Sequence, residues 1–345
     1  MIRSWLTIAM LCLGMGGMAQ DTHYWTNQYG ARASMLGGAV LAGSDDNSAV
    51  YYNPANLAFI KENTISLNTS VYRYSDLYWG NGAGDGVDLQ SQRISLYQQM
   101  ISGLFTKDPE KPYRIGFNIL TRQHVNLDMA LRYEAQYELN PNHDGLESFA
   151  GSVGWSHSID ETWGCLGGGY RLGPHCSVGL TAVVAYRSQR YASRCRTLAV
   201  RSDSIAPGTP LNVGSNAYDL STRSNLIGGL LKWGLHARFG RWYLGLTGST
   251  PSVTFWGESK VLREDSQYNL PGNRDQIRTG EQRLLKTRYR YPLTLGFGLA
   301  YHYPTGSFFH SWEFFGAVPQ YEMIESDPDQ FTSTALFSQL PSNFF

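Results

Sequence analysis

The segment 37–57 combines glycines, an acidic pair and an Asn-Pro-Ala motif, which are residue types that shape turns and hydrogen bonds. Its candidate functional residues are Gly37, Gly38, Asp45, Asp46, Tyr52, Asn53, Pro54, Ala55 and Leu57. Proline fixes its own φ and pushes the preceding residue out of the helical region, so Asn53-Pro54 predicts a turn. Asp45 and Asp46 are expected either to hydrogen-bond within turns, with Arg32 available as an ion-pair partner, or to be solvated turn residues without a functional role.

Common catalytic motifs are missing from the sequence. It contains no G-x-S-x-G, H-E-x-x-H or Walker sequence, which argues against an enzyme. The stretch GNGAGDGVD at 80–88 has the glycines and acids of a phosphate or calcium loop. Its place in a predicted connection favours a flexible turn instead, so we expect neither a metal nor a cofactor.

The composition favours an exported, strand-rich protein. Of the 345 residues 16% are charged, below the ~25% of typical soluble domains, while 13% are aromatic and 37 are glycine. The formal net charge is zero, so nothing favours nucleic acid as a partner. The cysteines beyond the N-terminal segment are Cys165, Cys176 and Cys195, an odd number that argues against a disulfide scaffold.

Residues 1–20 have the pattern of a secretory signal peptide. Arg3 is the basic residue, residues 5–15 (WLTIAMLCLGM) are apolar, and small residues precede a cleavage site near Ala19 or Gln20. An apolar run of about eleven residues is too short to span a bilayer, which favours cleavage over a retained anchor. No later apolar run approaches the ~18–20 residues of a transmembrane helix.

Apolar residues alternate with small or polar ones most clearly over residues 293–303, LTLGFGLAYHY. The stretches 177–186 and 227–239 repeat the pattern. Successive strand residues point to opposite faces, and transmembrane strands place apolar side chains outward and small or polar ones inward. A soluble sandwich would alternate too, but the long strands and the glycine-rich second face favour an all-β, transmembrane antiparallel β-barrel.

Nine strands are predicted, at 63–74, 90–105, 113–138, 147–172, 175–197, 217–238, 241–257, 282–303 and 307–325. The fourth is expected to bend or break near 158–160. Short links at 106–112, 173–174, 239–240 and 304–306 alternate with long links at 75–89, 139–146, 198–216 and 258–281. Outer-membrane barrels have short periplasmic turns and longer extracellular loops, so residues before the first strand should lie at the periplasmic mouth or inside the barrel.

The odd number of strands conflicts with a closed barrel. A single-chain bacterial barrel of this type has an even number of strands, and an unpaired strand edge in lipid would cost several kcal/mol for each backbone group. The C-terminal stretch SDPDQFTSTALFSQLPSNFF does not alternate. We therefore expect a barrel that lacks its C-terminal strands, with a miscount of strands as the alternative.

The region before the first strand resembles the FadL-type outer-membrane transporters of long-chain fatty acids and other hydrophobic compounds. The features that carry this resemblance are Gly30, Gly37, Gly38, Asp45, Asp46, Ala49, Asn53, Pro54, Ala55 and Leu57, in that order after a signal peptide. Weaker resemblance continues over 161–190, 240–259 and 289–303. Members of that family have fourteen-stranded barrels, an even number as closure requires.

The resemblance implies three parts: a signal peptide at 1–20, an N-terminal hatch that plugs the barrel at 21–60, and an outer-membrane β-barrel at 61–345. Asn53 and Pro54 would form the turn that fits the hatch inside the wall, with Leu57 among its apolar contacts. The residues proposed above for segment 37–57 are thus the candidate hatch and gating residues. Residues that line a substrate pocket cannot be assigned from the pattern.

The resemblance also implies a function, which is uptake of hydrophobic small molecules such as long-chain fatty acids through a pocket that a hatch movement opens. Partners would be that ligand and the lipid and lipopolysaccharide of a Gram-negative outer membrane, around a monomeric barrel. The inward residues Lys232, His236 and Arg238 could meet a carboxylate or form a solvated network. An alternative function is a barrel that anchors or assists protein secretion or surface attachment without transporting a solute.

Overall fold

The computed structural model describes residues 27–61, 65–68, 71–83, 86–97, 99–106, 108, 110–138, 146–201, 213–269 and 275–327. The predicted signal peptide at 1–20 and the first six residues of the predicted hatch, 21–26, lie outside these described residues. Two α-helices, α1 (Ala31–Met35) and α2 (Ala49–Tyr52), and a 3-10 helix (Pro54–Phe59) precede the first strand. Of the helices described, none has the length and apolar character needed to cross a membrane.

The rest of the described chain is built from antiparallel strands. Their bounds are β1 (Ile65–Asn68), β2 (Val71–Trp79), β3 (Leu89–Tyr97), β4 (Met100–Leu104), β5 (Tyr113–Tyr137), β6 (Glu147–Arg171), β7 (Cys176–Arg201), β8 (Val213–Phe239), β9 (Trp242–Ser249), β10 (Val253–Tyr268), β11 (Gln276–Lys286), β12 (Thr294–Tyr303) and β13 (Gly306–Phe315).

Eleven of these strands form one sheet in the order β1-β4-β5-β6-β7-β8-β9-β12-β13, and β10 extends it by pairing with β8 and β11. The strands β2 and β3 form a separate hairpin. Every pairing is antiparallel, which confirms the predicted all-β class. In the described residues β1 and β13 end this order without pairing to each other, and the predicted loss of C-terminal strands stays a prediction.

Each predicted strand corresponds to one pass of the chain across the sheet, and these passes are recovered. Five of the passes, however, are not the continuous strands that alternation suggested. The first pass is split into β1 and β2, the second into β3 and β4, the seventh into β9 and β10, and the eighth into β11 and β12. The ninth ends as β13 at Phe315, and only a bridge between Thr287 and Ile324 continues its pairing. Alternation holds within each piece, but the outward-facing position shifts by one residue across a break, as between Leu246 on β9 and Val253 on β10.

Two further details of the strand prediction were wrong. The strand β6 runs unbroken through 158–160, and the irregularity lies on its partner β5, where the register shifts between Thr121 and Gln123. The predicted long link 258–281 is mostly strand, because β10 reaches Tyr268 and β11 begins at Gln276. Polar side chains on both faces there hid the two-residue period.

Proline explains why the seventh, eighth and ninth passes break next to each other. Pro251 lies between β9 and β10, Pro292 between β11 and β12, and Pro319 follows β13. Proline has no backbone N–H and cannot donate to a strand ladder, so it is excluded from the middle of a sheet. We call the gap formed by 250–252, 287–293 and 316–320 the wall break.

The outer face of the sheet carries a band of exposed apolar residues near the short turns. Its members are Tyr113, Ile115, Ile119, Leu166, Tyr170, Leu180, Val184, Ile227, Leu231, Leu235, Phe239, Trp242, Leu246, Leu295, Phe297, Tyr303, Phe308, Trp312 and Phe314. Farther from those turns the outer face becomes charged, at Arg132, Glu134, Arg190, Arg194, Arg196, Arg223, Lys260, Glu264, Glu281 and Arg283. The wall break lies where the apolar band gives way to these charges.

Candidate functional site

The described part of the predicted hatch, residues 27–60, packs against the inner face of the sheet near its short turns. Polar side chains of the wall donate hydrogen bonds to its carbonyl oxygens. The pairs are Ser177 Oγ to Ala55 O at 2.8 Å, Thr181 Oγ1 to Val50 O at 2.9 Å, Lys232 Nζ to Tyr51 O at 2.6 Å, His236 Nε2 to Ala42 O at 2.9 Å and Thr247 Oγ1 to Tyr52 O at 3.3 Å. These donors come from β7, β8 and β9, so three neighbouring strands bind the hatch backbone.

The Asn-Pro-Ala motif is the most connected part of the hatch. The Asn53 side chain accepts a hydrogen bond from Ala55 N at 3.1 Å and so caps the 3-10 helix that Pro54 begins. Its amide nitrogen donates to Leu41 O at 2.8 Å and to Leu235 O on the wall at 3.1 Å. One buried amide therefore joins two hatch segments to β8, which an aliphatic residue could not do.

Glycines of the wall make room for this motif. A methyl group added at Gly179 would overlap Pro54, and one added at Gly234 would overlap the Asn53 side chain. Gly169, Gly245 and Gly298 are in the same situation against Pro54, Leu41 and Ala42. The small residues on the predicted inner face therefore allow the hatch backbone to touch the strand backbone.

The remaining predicted hatch residues shape the segment itself. Gly37 and Gly38 have φ of 59° and 86°, in the region that favours glycine. Arg32 Nη1 lies 2.6 Å from Asp45 Oδ2, and Asp46 Oδ1 accepts a hydrogen bond from Ser48 N at 2.9 Å. The acidic pair thus holds turns, and its part in gating stays a prediction.

Tyr52 and Leu57 fix the hatch through buried contacts. The Tyr52 hydroxyl accepts a hydrogen bond from Tyr29 N at 2.9 Å. Burial, and next the neighbouring Tyr51, raise the pKa of the Tyr52 phenol, so that it stays neutral in this contact. Leu57 is fully buried in a cluster with Val50 and Tyr29.

The inward basic residues contact the hatch. Lys232 and His236 bind hatch carbonyls, and the Arg238 guanidinium lies 3.9 Å from the centre of the Phe59 ring. Their meeting with a carboxylate or a solvated network stays a prediction.

Sequence reasoning missed a buried polar cluster built on Glu161. Its carboxylate accepts hydrogen bonds from Arg187 Nη1 at 2.8 Å, from the Tyr291 hydroxyl and from Trp163 Nε1. The Tyr289 ring covers Arg187 at 4.0 Å. These side chains come from β6, β7 and the wall break, so a charged pair is placed inside the sheet beside the hatch.

The space beside this cluster is narrow. An inner cavity of about 30 Å³ is lined by Glu161, Arg187, Leu230 and Tyr291 among others. Such a volume admits a water molecule but is far below the ~300–1,000 Å³ of pockets that hold small organic ligands. A solute the size of an aromatic ring could pass here only after side chains or the hatch move.

Other predicted features have ordinary structural roles. Asp88 accepts a hydrogen bond from Asn81 N at 2.8 Å in the turn that includes the glycine-rich stretch. No group of three potential metal ligands occurs within the described part of the chain. Cys165, Cys176 and Cys195 carry free thiols.

Comparison with known proteins gives one informative likeness. No family model and no curated protein matches the chain. Among solved structures, the P. putida toluene transporter TodX matches with a TM-score of 0.53 over 80% of this chain and 67% of TodX.

This chain has the fold of TodX. The two sequences are 17% identical, so the likeness establishes the fold and leaves the ligand open. The fold fits the resemblance to FadL-type transporters that the segment 30–60 carries.

Proposed function

We propose that the chain is an outer-membrane channel for the uptake of hydrophobic small molecules, opened by rearrangement of the hatch. The observation that carries this proposal is a hatch held inside an all-β wall that is apolar outside. The fold shared with a toluene transporter supports it. The same proposal includes a cleaved signal peptide, a monomeric barrel and contact with lipopolysaccharide.

The apolar band supports the membrane location. The strand β9 crosses the band with eight residues, which at ~3.4 Å per residue extend roughly 27 Å before any tilt. The outer apolar band of membrane barrels is ~25 Å tall. The strands β5 to β8 have 25, 25, 26 and 27 residues, so their charged halves would project beyond the membrane.

The nature of the hatch contacts supports movement. The wall holds the hatch through hydrogen bonds from side chains to carbonyl oxygens, each worth ~0.5–1.5 kcal/mol net, and through a buried apolar cluster that joins Val50 and Leu57 to wall residues such as Trp163. A hydrophobic solute that displaces part of the hatch gains ~0.8 kcal/mol for each methylene it buries. A long alkyl chain can therefore offset the loss of several such contacts, and its binding can drive a partial displacement without a chemical step.

The family resemblance and the structural likeness both indicate an apolar ligand. The resemblance of the hatch region implies long-chain fatty acids, while TodX is a transporter of toluene. We propose apolar uptake in general, with a long-chain fatty acid as the first ligand to test. Nothing in the described residues favours the alternative of a barrel that serves protein secretion.

Uptake by lipid vesicles tests this proposal. Vesicles containing the full chain, and vesicles without protein, would be supplied with a fluorescent long-chain fatty acid or with labelled toluene. We expect the protein to accelerate entry of at least one of the two solutes. Equal rates with and without inserted protein, together with a protein partner that stays bound through purification, would instead support the secretion or attachment alternative.

A further inference from the structure

The wall break contains a cavity whose lining runs from the outward-facing Phe255 and Leu293 to Thr254 and Tyr291, which also line the inner cavity. Its volume is about 710 Å³, and the three prolines of the break line it. Val253, Phe255 and Leu293 supply apolar walls and are 61%, 66% and 44% exposed. The cavity therefore continues the apolar band into a recess at the border of the charged surface.

A basic row borders this recess. Over residues 286–291, KTRYRY, the basic side chains Lys286, Arg288 and Arg290 all line the cavity. The residues between them make contacts inside the sheet: Thr287 is buried, and Tyr289 and Tyr291 reach the Arg187 and Glu161 cluster, although Thr287 and Tyr291 also border the cavity. Alternate residues of an extended chain lie ~7 Å apart on one face, so the row spans roughly 14 Å.

Charge in the recess is of one sign. No acidic residue is found among the described residues that line it. Glu325 Oε1 lies 3.7 Å from Arg288 Nη2, and Glu258 is the register partner of Lys286 in the β10–β11 ladder. Arg288 Nε also donates to Glu322 O, and Arg290 lies over the Tyr321 ring. These contacts orient the basic side chains and leave the recess open.

We propose that this recess binds an outer-leaflet lipid, with its phosphate groups against Lys286, Arg288 and Arg290 and one acyl chain against Val253, Phe255 and Leu293. This inference rests on the membrane location in the proposed function. Basic residues beside a membrane attract phosphate headgroups, and an apolar recess below them accommodates the attached chain. The volume suits a single chain, so the rest of the lipid would stay in the bilayer.

The position of the row distinguishes this lipid from a transported acid. The three basic side chains border the recess and make no printed contact with Glu161 or Arg187, whereas the rings of Tyr289 and Tyr291 reach that inner cluster, Tyr291 bordering both spaces. A solute on its way through the lumen would meet the inner cluster, whereas a lipid in the surrounding membrane would meet the basic row. The outer leaflet of the proposed membrane supplies a phosphorylated glycolipid at this level.

The test is a titration of the full chain in detergent micelles with bisphosphorylated lipid A, followed by native mass spectrometry. The same lipid A without phosphates and sodium oleate serve as comparison ligands. The variant carries Lys286→Gln, Arg288→Gln and Arg290→Gln. The matched control removes three exposed basic residues from the outer face of β7, through Arg190→Gln, Arg194→Gln and Arg196→Gln.

We expect the variant to bind bisphosphorylated lipid A at least about tenfold more weakly, because basic residues beside a membrane attract its phosphate groups. The β7 control should bind like the unaltered protein. A second variant, Phe255→Ala, should weaken binding of both forms of lipid A, which keeps the proposal testable if the triple variant does not fold.

Three results would overturn the proposal. The first is that the triple variant and the unaltered protein bind bisphosphorylated lipid A with equal affinity. The second is that the β7 control loses as much affinity as the triple variant. The third is that the triple variant loses oleate binding and keeps lipid A binding. Vesicle uptake separates this inference from the proposed function. If the unaltered protein accelerates solute uptake but does not bind lipid A, only the lipid site is rejected. If the protein does not insert into membranes, the proposed function is rejected.

Discussion

At the scale of single residues, Asn53 in the hatch and Glu161 in the wall are central. Sequence reasoning identified the first and missed the second. Asn53 was identified because it belongs to a short motif whose turn chemistry is local. Glu161 was not, because its partner Tyr291 lies 130 residues away and only the folded sheet brings the two together. Alternation indicates that a residue faces inward but not which residue of another pass it meets.

Asn53→Ala should loosen the hatch. The substitution removes donors to Leu41 O and Leu235 O and the cap on Ala55 N, a loss of ~1–3 kcal/mol for a buried group left unsatisfied. Hydrogen exchange over residues 49–60 should become faster. The control Asn126→Ala changes an exposed residue of β5 and should leave that exchange unaltered. Equal exchange in both variants would mean that Asn53 does not hold the hatch.

Glu161→Gln should destabilise the wall. It leaves the buried Arg187 without its carboxylate, and removing one partner of a buried ion pair costs ~3–5 kcal/mol. Unfolding in urea would measure the loss. Adding Arg187→Met to Glu161→Gln should restore much of the stability, since neither charge of the pair then remains. A double variant less stable than either single one would contradict this account of the cluster.

At the scale of elements, alternation predicted the passes of the chain well because each strand's inner face is small or polar and its outer face apolar. It could not predict where ladders stop. Pro251, Pro292 and Pro319 are widely spaced in the sequence and become one feature only when the seventh, eighth and ninth passes lie side by side. A single proline is compatible with a strand edge, whereas three in line interrupt a sheet.

The wall break should be less protected than the continuous sheet beside it. The amides of Tyr289, Arg290 and Tyr291 donate to side-chain hydroxyl groups and not to a strand ladder. Amide hydrogens of residues 287–291 are therefore expected to exchange faster than those of 177–187 on β7, whose pairing with β6 and β8 is unbroken. Exchange followed by mass spectrometry would give both rates in one sample. Equal protection of the two segments would show that the break does not weaken the wall.

At the scale of the whole molecule, the proposed channel consists of a sheet with an apolar outer band and a hatch against its inner face. The class of fold was predictable from alternation, while the hatch contacts were not, because they pair backbone carbonyls of residues 42–55 with inward side chains far along the chain. The inward glycines were visible in the sequence, but their reason, close approach of the hatch, required the structure.

The most direct test of the central claim is fatty-acid uptake by vesicles containing a variant with Gly179→Ala and Gly234→Ala. The added methyl groups overlap Pro54 and Asn53 and should displace the hatch. The control is Gly164→Ala, where an added methyl group lies 3.9 Å from its nearest neighbour, Val184 O. Circular dichroism would verify that all three proteins keep their strand content.

If the hatch closes a channel for hydrophobic molecules, the double variant should take up the fatty acid several-fold faster than the unaltered protein, and Gly164→Ala should match the unaltered protein. If all three folded, membrane-inserted proteins give the same uptake as vesicles without protein, the chain is not such a channel.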